Sequence, residues 1–383
     1  MSGKVIIRTI TCHDVYNYGA SLQAYSLQVY LQKQGHDVAI IDYIPFYLKR
    51  RLPFWYLNPA SAYYERLRKN PVLRLAYSIN NYIEYYRKTG RRRAFDSFTN
   101  NFLKLTKKYT SISELREDPP VADLYLAGSD QIWNSYMNNG KDDAFYLDFG
   151  SPMVIRCSYA ASFGASTVNE DFKDYIRDKI AKLDFVSVRE ESGLSILLDM
   201  GFSEVSQVLD PVFLLTKDDW KEVAARSSLS INRPYILIYA IAGLSSEFKK
   251  FALHLKEKYN YAIVSILGVR VSFADYNISS SGPCEFVSLI ASASYVLSDS
   301  FHASAFSVLF NCPFFIFPKS SLNHSARMVD FCKMLDVSWA YAPDIDVVCE
   351  KKHNWDQIND FIRVKREQSI DYLQKCISLC GKR

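Results

Sequence analysis

The stretch Tyr295–Phe317, YVLSDSFHASAFSVLFNCPFFIF, indicates the fold class of this 383-residue chain. Its first residues, YVL, form a short apolar run with an aromatic and a β-branched residue, which is typical of a buried parallel strand. Apolar residues then recur at helical spacing until Pro313, and FFIF predicts a second strand. Asp299, Ser300 and His302 therefore lie at a turn from strand to helix, where ligands bind in α/β sheets.

Strand and helix patterns alternate along most of the chain, which predicts parallel sheets covered by helices. One series begins with KVIIRTITC at residues 4–12, and a second begins with RPYILIYAI at residues 233–241. The polar segment between the two series predicts a domain boundary. We predict three units along the chain: a first domain over residues 1–215, a second domain over residues 216–345, and a helical segment over residues 346–383 that packs back on the first domain.

A segment from about residue 46 to residue 110 is too long for a simple connection, so it predicts a helical insert in the first domain. Residues 46–95 carry twelve lysines and arginines against two glutamates, interleaved with many aromatic residues. This composition suits an anionic membrane surface, a lipid-linked substrate or a nucleic acid. No nucleic-acid-binding module is recognisable, which disfavours the last of these. The structural alternative is a solvated helical hairpin that covers a sheet edge.

The composition, with 49% apolar and 23% charged residues, is typical of a soluble globular protein. No apolar run approaches the roughly 18 residues needed to cross a bilayer. The N-terminal sequence MSGKVIIRTITC lacks the apolar segment and cleavage site of a secretory signal, so we expect a cytoplasmic protein. The eight cysteines show no C-x-x-C pair and no metal-ligand spacing, so we expect no bound metal. The loop HDVYNYGAS at residues 13–21 is neither a GxGxxG nor a Walker loop, and we expect no bound cofactor.

The segment AGSDQIWN at residues 127–134 ends a predicted strand with a cluster of polar and aromatic side chains. Asp130, Gln131 and Asn134 offer hydrogen bonds to hydroxyl groups, and Trp133 offers an aromatic face to the C–H face of a sugar. The pattern therefore predicts a sugar-binding turn. Capping of the next helix by the serine or aspartate is the alternative.

Asn17 and Arg189 stand at two further strand ends of the first domain. Asn17 precedes a helix whose N-terminus can hold an anion, and Gly19 permits close backbone approach, although a plain turn would use the same residues. Arg189 ends a buried strand and is placed for a bidentate contact to phosphate or carboxylate. A structural salt bridge to an acid such as Asp210 is the alternative, and Asp210 itself is interpreted as a turn residue before a proline.

His302 is embedded in its strand-to-helix turn beside Asp299, Ser300 and Ser304. The positive end of the helix disfavours an imidazolium ion, which favours release of a proton near neutral pH. A core histidine satisfied by a backbone carbonyl would be the structural alternative. We interpret His302 as functional because the neighbouring residues are small and polar.

Four blocks of the chain closely resemble, in order, the polysaccharide pyruvyl transferase family. The blocks are YNYGASLQAYSLQVYLQKQGHDVAIIDY, GSDQIWN, VSVREESGLSILLDMGFSEVSQVLDPVFLL and GPCEFVSLIASASYVLSDSFHASAFSVLFNCPF. The resemblance runs from about Arg8 to Asp336, apart from the basic insert. It implies an α/β fold of two Rossmann-like domains facing across a cleft, as in GT-B glycosyltransferases. It also implies transfer of a pyruvyl group from phosphoenolpyruvate to a sugar, giving a pyruvate ketal and phosphate.

The resemblance carries over residue by residue at only a few positions. His302 matches the family's histidine, taken as general acid or donor-binding residue, and Arg189 matches an arginine taken as a phosphoenolpyruvate contact. Some members have arginine where this chain has Ser300, so another cation, such as Lys319 or Arg327, is expected to hold the donor.

Ketal formation requires a general acid, a general base and cations that hold carboxylate and phosphate. We expect His302 to be the acid and Asp130 the base or an acceptor ligand. The complete expected site has Arg189, Ser300, Lys319 and Arg327 around phosphoenolpyruvate, and Asn17, Gln131, Trp133 and Asn134 around the acceptor.

The expected acceptor is a sugar of a capsular, exopolysaccharide or cell-wall glycan that is still lipid-linked, with the protein peripheral at the inner face of the membrane. A GT-B-type glycosyltransferase using a nucleotide sugar is the alternative enzyme. It would need acidic residues in the second domain to hold a ribose, and Glu285 is the one nearby acid that the sequence offers. A catalytically silent interaction protein is the remaining alternative.

Overall fold

The computed structural model describes residues 3–50, 54–57, 63–241, 243–318, 326–344 and 352–381, apart from the side chains of residues 84, 87, 326 and 327. Within this part of the chain, two parallel sheets follow one another along the sequence, each covered by helices. Two Rossmann-like domains therefore face each other, and the predicted fold class is confirmed.

The first domain contains a parallel sheet in the strand order β3-β2-β1-β4-β5. Its strands, with two that follow, are β1 (Ile6–Ile10), β2 (Asp37–Tyr43), β3 (Leu105–Tyr109), β4 (Leu124–Ala127), β5 (Ile155–Ser158), β6 (Val186–Val188) and β7 (Val205–Gln207). Single bridges from Cys157 to Phe185 and from Ala161 to Val188 carry the sheet on to the β6–β7 pair. The order is that of a Rossmann sheet, whose ligands bind beyond the carboxyl ends of the strands.

The second domain repeats this plan with the order β10-β9-β8-β11-β12. Its strands are β8 (Tyr235–Tyr239), β9 (Ala262–Ser265), β10 (Tyr276–Asn277), β11 (Tyr295–Ser298) and β12 (Phe314–Ile316). β8 is buried along its whole length, as continuous apolar runs in parallel sheets are. The YVL run lies in β11, between β8 and β12, and is therefore part of an interior strand of this sheet.

Helices connect the strands and cover both sheets. They are α1 (Tyr18–Lys33), α2 (Tyr64–Lys69), α3 (Pro71–Arg87), α4 (Thr89–Phe102), α5 (Ile112–Glu117), α6 (Lys173–Ile180), α7 (Glu191–Asp199), α8 (Lys217–Ala224), α9 (Ser246–Tyr259), α10 (Pro283–Ala291), α11 (Phe301–Phe310), α12 (Ala326–Met334) and α13 (Trp355–Ser378). Short 3-10 turns occupy Phe46–Leu48, Asn139–Lys141, Asp143–Tyr146, Glu170–Phe172, Pro211–Phe213, Ser338–Ala340 and Leu379–Gly381.

The insert of the first domain consists of α2, α3 and α4 between β2 and β3. The predicted helical insert runs to about residue 110, but Leu105–Tyr109 forms the edge strand β3 beside β2. Its sequence LTKKY has too little apolar character to predict a buried strand, and exposed lysines are common on sheet edges. The end of the predicted insert is therefore corrected to about residue 103.

The two domains share one apolar core across α1 and α10. The Tyr18 ring on α1 stacks on the Phe286 ring on α10 at 4.5 Å, and its hydroxyl lies 2.5 Å from the Ser281 hydroxyl. The apolar side chains that both domains bury in this shared core stabilise the contact between them. Helix α13 adds hydrogen bonds to the first domain, from Leu209 N to Ser369 Oγ and from Tyr372 OH to the Ser158 carbonyl.

Candidate active site

The carboxyl ends of β1, β4, β6 and β11 meet where the two domains face each other. α1 begins after Asn17, whose Oδ1 accepts from the N–H groups of Gly19 and Ala20. α11 begins at Phe301, directly after β11. Gly19 lies against the imidazole of His302, and a Cβ at this position would overlap the ring. Glycine is therefore required sterically where the first helix of one domain meets the histidine of the other.

Asp210 stands at the centre of the site, and its side chain is 0% exposed. Its Oδ2 accepts from Arg189 Nη1 at 2.6 Å and from Ser129 Oγ at 3.1 Å. The Nε2 atom of His302 lies 3.5 Å from the same oxygen, which is an ion-pair distance. One carboxylate thus holds an arginine from the first domain beside a histidine from the second.

The charges around Asp210 keep it ionised in spite of its burial. Burial alone would raise the pKa of the carboxyl, but the charge of His302 and then that of Arg189 outweigh it, with help from the Val212 N–H. The pKa of Asp210 is therefore held well below its ordinary value. A permanent carboxylate there can compensate the charge of an imidazolium at His302.

Arg189 is buried, and its ion pair with Asp210 is the structural contact that the sequence analysis had kept as an alternative. Its Nε lies 3.7 Å from Glu190 Oε2, and its guanidinium carbon lies 4.6 Å from the Phe301 ring centroid. Within the described residues, Nε and Nη2 have no hydrogen-bond partner. The group thus combines a structural ion pair with donors that remain for a ligand.

Asp130 follows β4 in a left-handed backbone conformation with φ +75°. Such a conformation is uncommon outside glycine and often marks functional turns. Its Oδ1 accepts from the Gln131 N–H, and its carbonyl accepts from the N–H of Ser162. Asp130 is half-buried beside Ser129, so it lies at the same strand end as the Asp210 cluster.

Trp133 was expected to bind a sugar, but it is 0% exposed. Its Nε1 donates to the Phe145 carbonyl at 3.1 Å, and its ring is parallel to the Tyr146 ring with centroids 5.8 Å apart. A fully buried ring has no face for a sugar, so Trp133 is corrected to a core residue. Asn134 Nδ2 donates to Gln131 Oε1 at 2.8 Å, so these two side chains bond to each other.

Ser300 is buried at the N-cap position of α11 without a side-chain capping bond. Its N–H donates to Ser298 Oγ at 3.0 Å, and its carbonyl accepts from Ser304. The two other expected donor ligands, Lys319 and the side chain of Arg327, lie outside the described residues. They follow β12 in the chain and stay predictions.

Asp210 belongs to the site, although its place before a proline predicts only a turn residue. Asp210 does cap the short turn after it, since its Oδ1 accepts from Val212 N at 3.1 Å. Its second oxygen, however, joins Ser129, Arg189 and His302. An aspartate within an otherwise apolar run, as in VLDPVFLL, is a signal of a buried ion pair, because an unpaired buried charge is too costly.

The paired Rossmann-like domains and the cleft residues contributed by both define a GT-B-like α/β protein. A family model described as polysaccharide pyruvyl transferase matches residues 17–321. The chain belongs to this family, and it is therefore a transferase. The matched region contains Asn17, Asp130, Arg189, Asp210 and His302, whereas α12 and α13 lie beyond it.

Several solved structures share the fold at low identity. A UDP-N-acetylglucosamine 2-epimerase has a TM-score of 0.58 at 10% identity, with 100% of this chain and 98% of that chain covered. The UDP-GlcNAc 2-epimerase of Methanocaldococcus jannaschii gives 0.52 at 13% identity, with 96% and 100% covered. The glycotransferase of kitacinnamycin gives 0.50 at 9% identity, with 98% and 100% covered. These likenesses concern the fold alone. No curated protein sequence matches the chain.

Proposed function

We propose that the protein transfers the pyruvyl group of phosphoenolpyruvate to two hydroxyls of a sugar, forming a pyruvate ketal and phosphate. The observation that carries the proposal is the convergence of Arg189 and His302, from different domains, on the Asp210 carboxylate. A cation and a proton donor held next to each other in a cleft suit a donor that carries two acidic groups and must be protonated on carbon.

The proposed reaction forms and breaks bonds at C2 and C3 of phosphoenolpyruvate. One sugar hydroxyl oxygen bonds to C2 while C3 gains a proton from His302. The bond from C2 to the phosphate oxygen then breaks, and phosphate leaves with the bonding pair. The second hydroxyl oxygen bonds to C2 and closes the ring. Of the two hydroxyl protons, one restores His302 and one leaves with phosphate, with Asp130 as the proposed base.

Each residue around the donor has a distinct proposed role. Arg189 holds the carboxylate or phosphate through its Nη2 group, which has no hydrogen-bond partner within the described residues, and the N-terminus of α11 at Ser300 faces the same anion. Lys319 and Arg327 are proposed as further cations. Asp210 is a positioning residue, since it touches Arg189 and His302 rather than the reacting atoms. The protein itself needs no further cofactor in this proposal.

Isothermal titration of phosphoenolpyruvate into the wild type, His302→Ala and Arg189→Ala tests the proposal. We expect binding by the wild type, weaker binding by both variants, and unchanged binding by His254→Ala, which alters a histidine on α9 in the second domain. Phosphate release with a sugar acceptor should disappear in His302→Ala. A wild type that neither binds phosphoenolpyruvate nor releases phosphate with any acceptor would contradict the proposal.

A glycosyltransferase that uses a nucleotide sugar is the second candidate, supported by the GT-B-like fold. Glu285, the acid expected to hold a ribose in that case, accepts from the Gly282 N–H at 2.8 Å and caps α10. The carboxylate is thus engaged in the helix N-terminus. Binding of UDP or GDP sugars by a protein that ignores phosphoenolpyruvate would favour this candidate.

The basic insert supports the further proposal that the acceptor is lipid-linked and that the protein docks on the inner face of the membrane. One face of α3 exposes an apolar stripe at helical spacing. It consists of Val72, Leu75, Ile79, Tyr82, Ile83 and Tyr86. Exposed Phe54 and Trp55 extend it, with the Phe54 ring 6.0 Å from that of Tyr82. An exposed apolar stripe with flanking cations is the pattern of a helix that lies in a lipid interface.

The cations near this stripe divide into structural and exposed groups. Arg91 lies 4.7 Å from the Tyr18 ring centroid, and Arg92 is buried against Tyr85, so both brace the insert. By contrast, Arg66, Arg68 and Lys69 on α2 are exposed and suit anionic headgroups. Substituting Arg91 or Arg92 would therefore disturb packing as well as charge, which makes the apolar stripe a better target than the arginine run.

The insert also contacts the loop between β1 and α1 that leads to the cleft. Arg50 Nε donates to the Asp14 carbonyl at 3.1 Å, and Arg91 Nη2 donates to the Tyr16 carbonyl at 3.4 Å. A membrane bound by α3 would thus lie near the acceptor entrance. No helix in the described part of the chain is long and apolar enough to cross a bilayer.

Sedimentation with vesicles tests this proposal. We expect Leu75→Glu and Ile79→Glu to weaken binding to vesicles of phosphatidylcholine and phosphatidylglycerol. The matched control is Val121→Glu, which alters an isolated exposed apolar residue elsewhere in the first domain. Membrane docking by this face would be contradicted if both α3 variants bound the vesicles as strongly as the wild type, or if the wild type did not bind them at all.

A further inference from the structure

A cavity of about 320 Å³ lies against Arg189 between the first domain and the helices α12 and α13. This volume is at the lower end of the range of about 300–1,000 Å³ for small-molecule sites. Its walls come from Arg189 and Glu190 after β6, from Phe301 at the start of α11, and from α12 and α13. The cavity therefore adjoins the active site through Arg189, while His302 does not line it.

Several buried polar atoms in the walls have no hydrogen-bond partner within the described residues. Glu190 is 4% exposed, and its Oε1 accepts from Ser162, Phe163 and Gly164, whereas its Oε2 has no hydrogen-bond partner. The Nε atom of Arg189 lies 3.7 Å from this oxygen without a hydrogen bond, and Nη2 of Arg189 has no hydrogen-bond partner either. On the opposite wall, Oδ2 of Asp330 on α12 is unpaired as well. Hydrogen-bond acceptors and donors thus face one cavity, and buried groups of both kinds are normally satisfied by a ligand or solvent.

The remaining walls are aromatic. The Phe301 ring lies 5.1 Å from the Phe331 ring at an angle of 66°, and Phe361 on α13 adds a third ring. Lys365, one turn further along α13, lies 5.8 Å from the Phe361 ring centroid. It forms no ion pair with any residue that the structure describes. Aromatic rings beside carboxylates and cations are the surroundings that hold a pyranose, through its C–H faces and its hydroxyls.

Beyond Arg189, the charge of the cavity walls favours a neutral occupant over an anion such as phosphoenolpyruvate. Four acids line the cavity, Glu190, Glu191, Asp210 and Asp330, whereas the lining cations are Arg189 and Lys365. Arg189 is already paired with Asp210. An anion with two acidic groups would meet net negative charge, but a neutral molecule that both donates and accepts hydrogen bonds would not.

We infer that this cavity binds one neutral pyranose unit of the glycan acceptor. The inference rests on the proposed function, because the sugar next to Arg189 is the one presented to the donor. The aromatic wall that the sequence analysis assigned to Trp133 is supplied instead by Phe301, Phe331 and Phe361. Since α12 and α13 follow the region matched by the family model, Phe331, Phe361 and Lys365 add walls from a part of the chain outside that region.

Saturation-transfer NMR and isothermal titration with neutral methyl glycosides test the inference. The probes are methyl glucoside, galactoside and mannoside and the N-acetylglucosamine glycoside, added without phosphoenolpyruvate. We expect at least one to bind the wild type, and about tenfold weaker binding in Lys365→Met and Phe361→Ala. Lys375→Met is the matched control, since Lys375 is exposed on the same helix. Phe361 is half-buried, so thermal unfolding of its variant should remain cooperative.

Two outcomes would overturn the inference. One is the absence of binding for every glycoside, and the other is unchanged glycoside binding in both cavity variants. Phosphoenolpyruvate titration of the same variants should give the wild-type affinity, because neither residue lies on the His302 side of the site. A wild type that binds a glycoside in the cavity but never phosphoenolpyruvate would refute the proposed function and leave the sugar site standing.

Discussion

The ion pair of Asp210 and Arg189 predicts that Asp210→Asn destabilises the protein. Asparagine keeps an oxygen for the Val212 N–H but replaces the carboxylate that accepts from Arg189 at 2.6 Å and from Ser129 at 3.1 Å. Both members of the pair are almost fully buried. Removing one partner of a buried ion pair leaves an uncompensated charge and typically costs about 3–5 kcal/mol.

This cost corresponds to a measurable change in melting temperature. Unfolding entropy near the melting point is about 2.1 cal/mol/K per residue, which for 383 residues gives about 0.8 kcal/mol/K. A loss of about 3–5 kcal/mol therefore lowers the melting temperature by about 4–6 °C. The full effect is present at pH 7, since the pKa of Asp210 is depressed and its contribution is lost only as the pH falls below the ordinary aspartate value.

The assay is a double-mutant cycle with Asp210→Asn, Arg189→Met and the combined variant, followed by calorimetry at pH 7. The combined variant removes both charges, so we expect it to recover at least about 2 kcal/mol relative to the sum of the single losses. Pyruvyl transfer should be lost in all three variants, including the combined variant that recovers stability. The comparison of stability with activity therefore separates the structural effect of the pair from its role in the site. Single variants that melt within about 1 °C of the wild type, or losses that simply add, would refute this account.

Three other changes test neighbouring parts of the structure. Burial lowers the pKa of His353 to about 4, so on acidification the unfolded chain binds a proton at a higher pH than the folded protein does. The free energy of unfolding should therefore fall by about 3 kcal/mol between pH 6.5 and pH 4. His353→Phe should remove this pH dependence, as measured by urea unfolding. Gly19→Ala should abolish transfer because the added methyl overlaps His302, as an activity assay would show. Trp133→Phe should cost about 1–3 kcal/mol by unpairing the Phe145 carbonyl, yet leave the KM of the acceptor unchanged in steady-state assays.

Each of these tests has a control or a contrary outcome. Gly3→Ala adds a methyl where no atom lies within 4 Å, and it should leave transfer intact. An active Gly19→Ala enzyme would show that His302 is not held where the structure places it. If the free energy of unfolding of His353→Phe still falls between pH 6.5 and pH 4, other titratable groups cause the loss of stability. A large rise in the acceptor KM of Trp133→Phe would return that residue to the acceptor site.

The alternation of strands and helices was sufficient to predict the two parallel sheets and the strand ends at which polar residues stand. Parallel strands end at a common edge, so Ser129 and Arg189 had to lie at one edge of the first domain once their strands were recognised. His302 lies at the corresponding edge of the second sheet and reaches them because the two domains face each other. The histidine turn was predictable because small polar residues interrupt two apolar runs.

Side-chain direction could not be predicted in the same way. A tryptophan next to polar residues, as in QIWN, is equally consistent with a ligand-binding residue and with a core residue. Trp133 is a core residue because Phe145 and Tyr146, more than ten residues later in the chain, pack against it. Asp210 was missed for a related reason. Its short-range role at a turn is visible in the sequence, whereas its long-range pairing with Arg189 depends on the order of the strands.

The return of α13 to the first domain makes that domain discontinuous along the chain. Its sheet is formed by residues up to Gln207, yet Ser369 and Tyr372 complete the packing on its surface only after the whole second domain has been passed. During synthesis on the ribosome, the second sheet can close while the first still has an uncovered apolar face. The first domain is therefore translated first but completes its packing last. A stalled or shortened chain would leave the apolar face of the first domain exposed to chaperones and proteases.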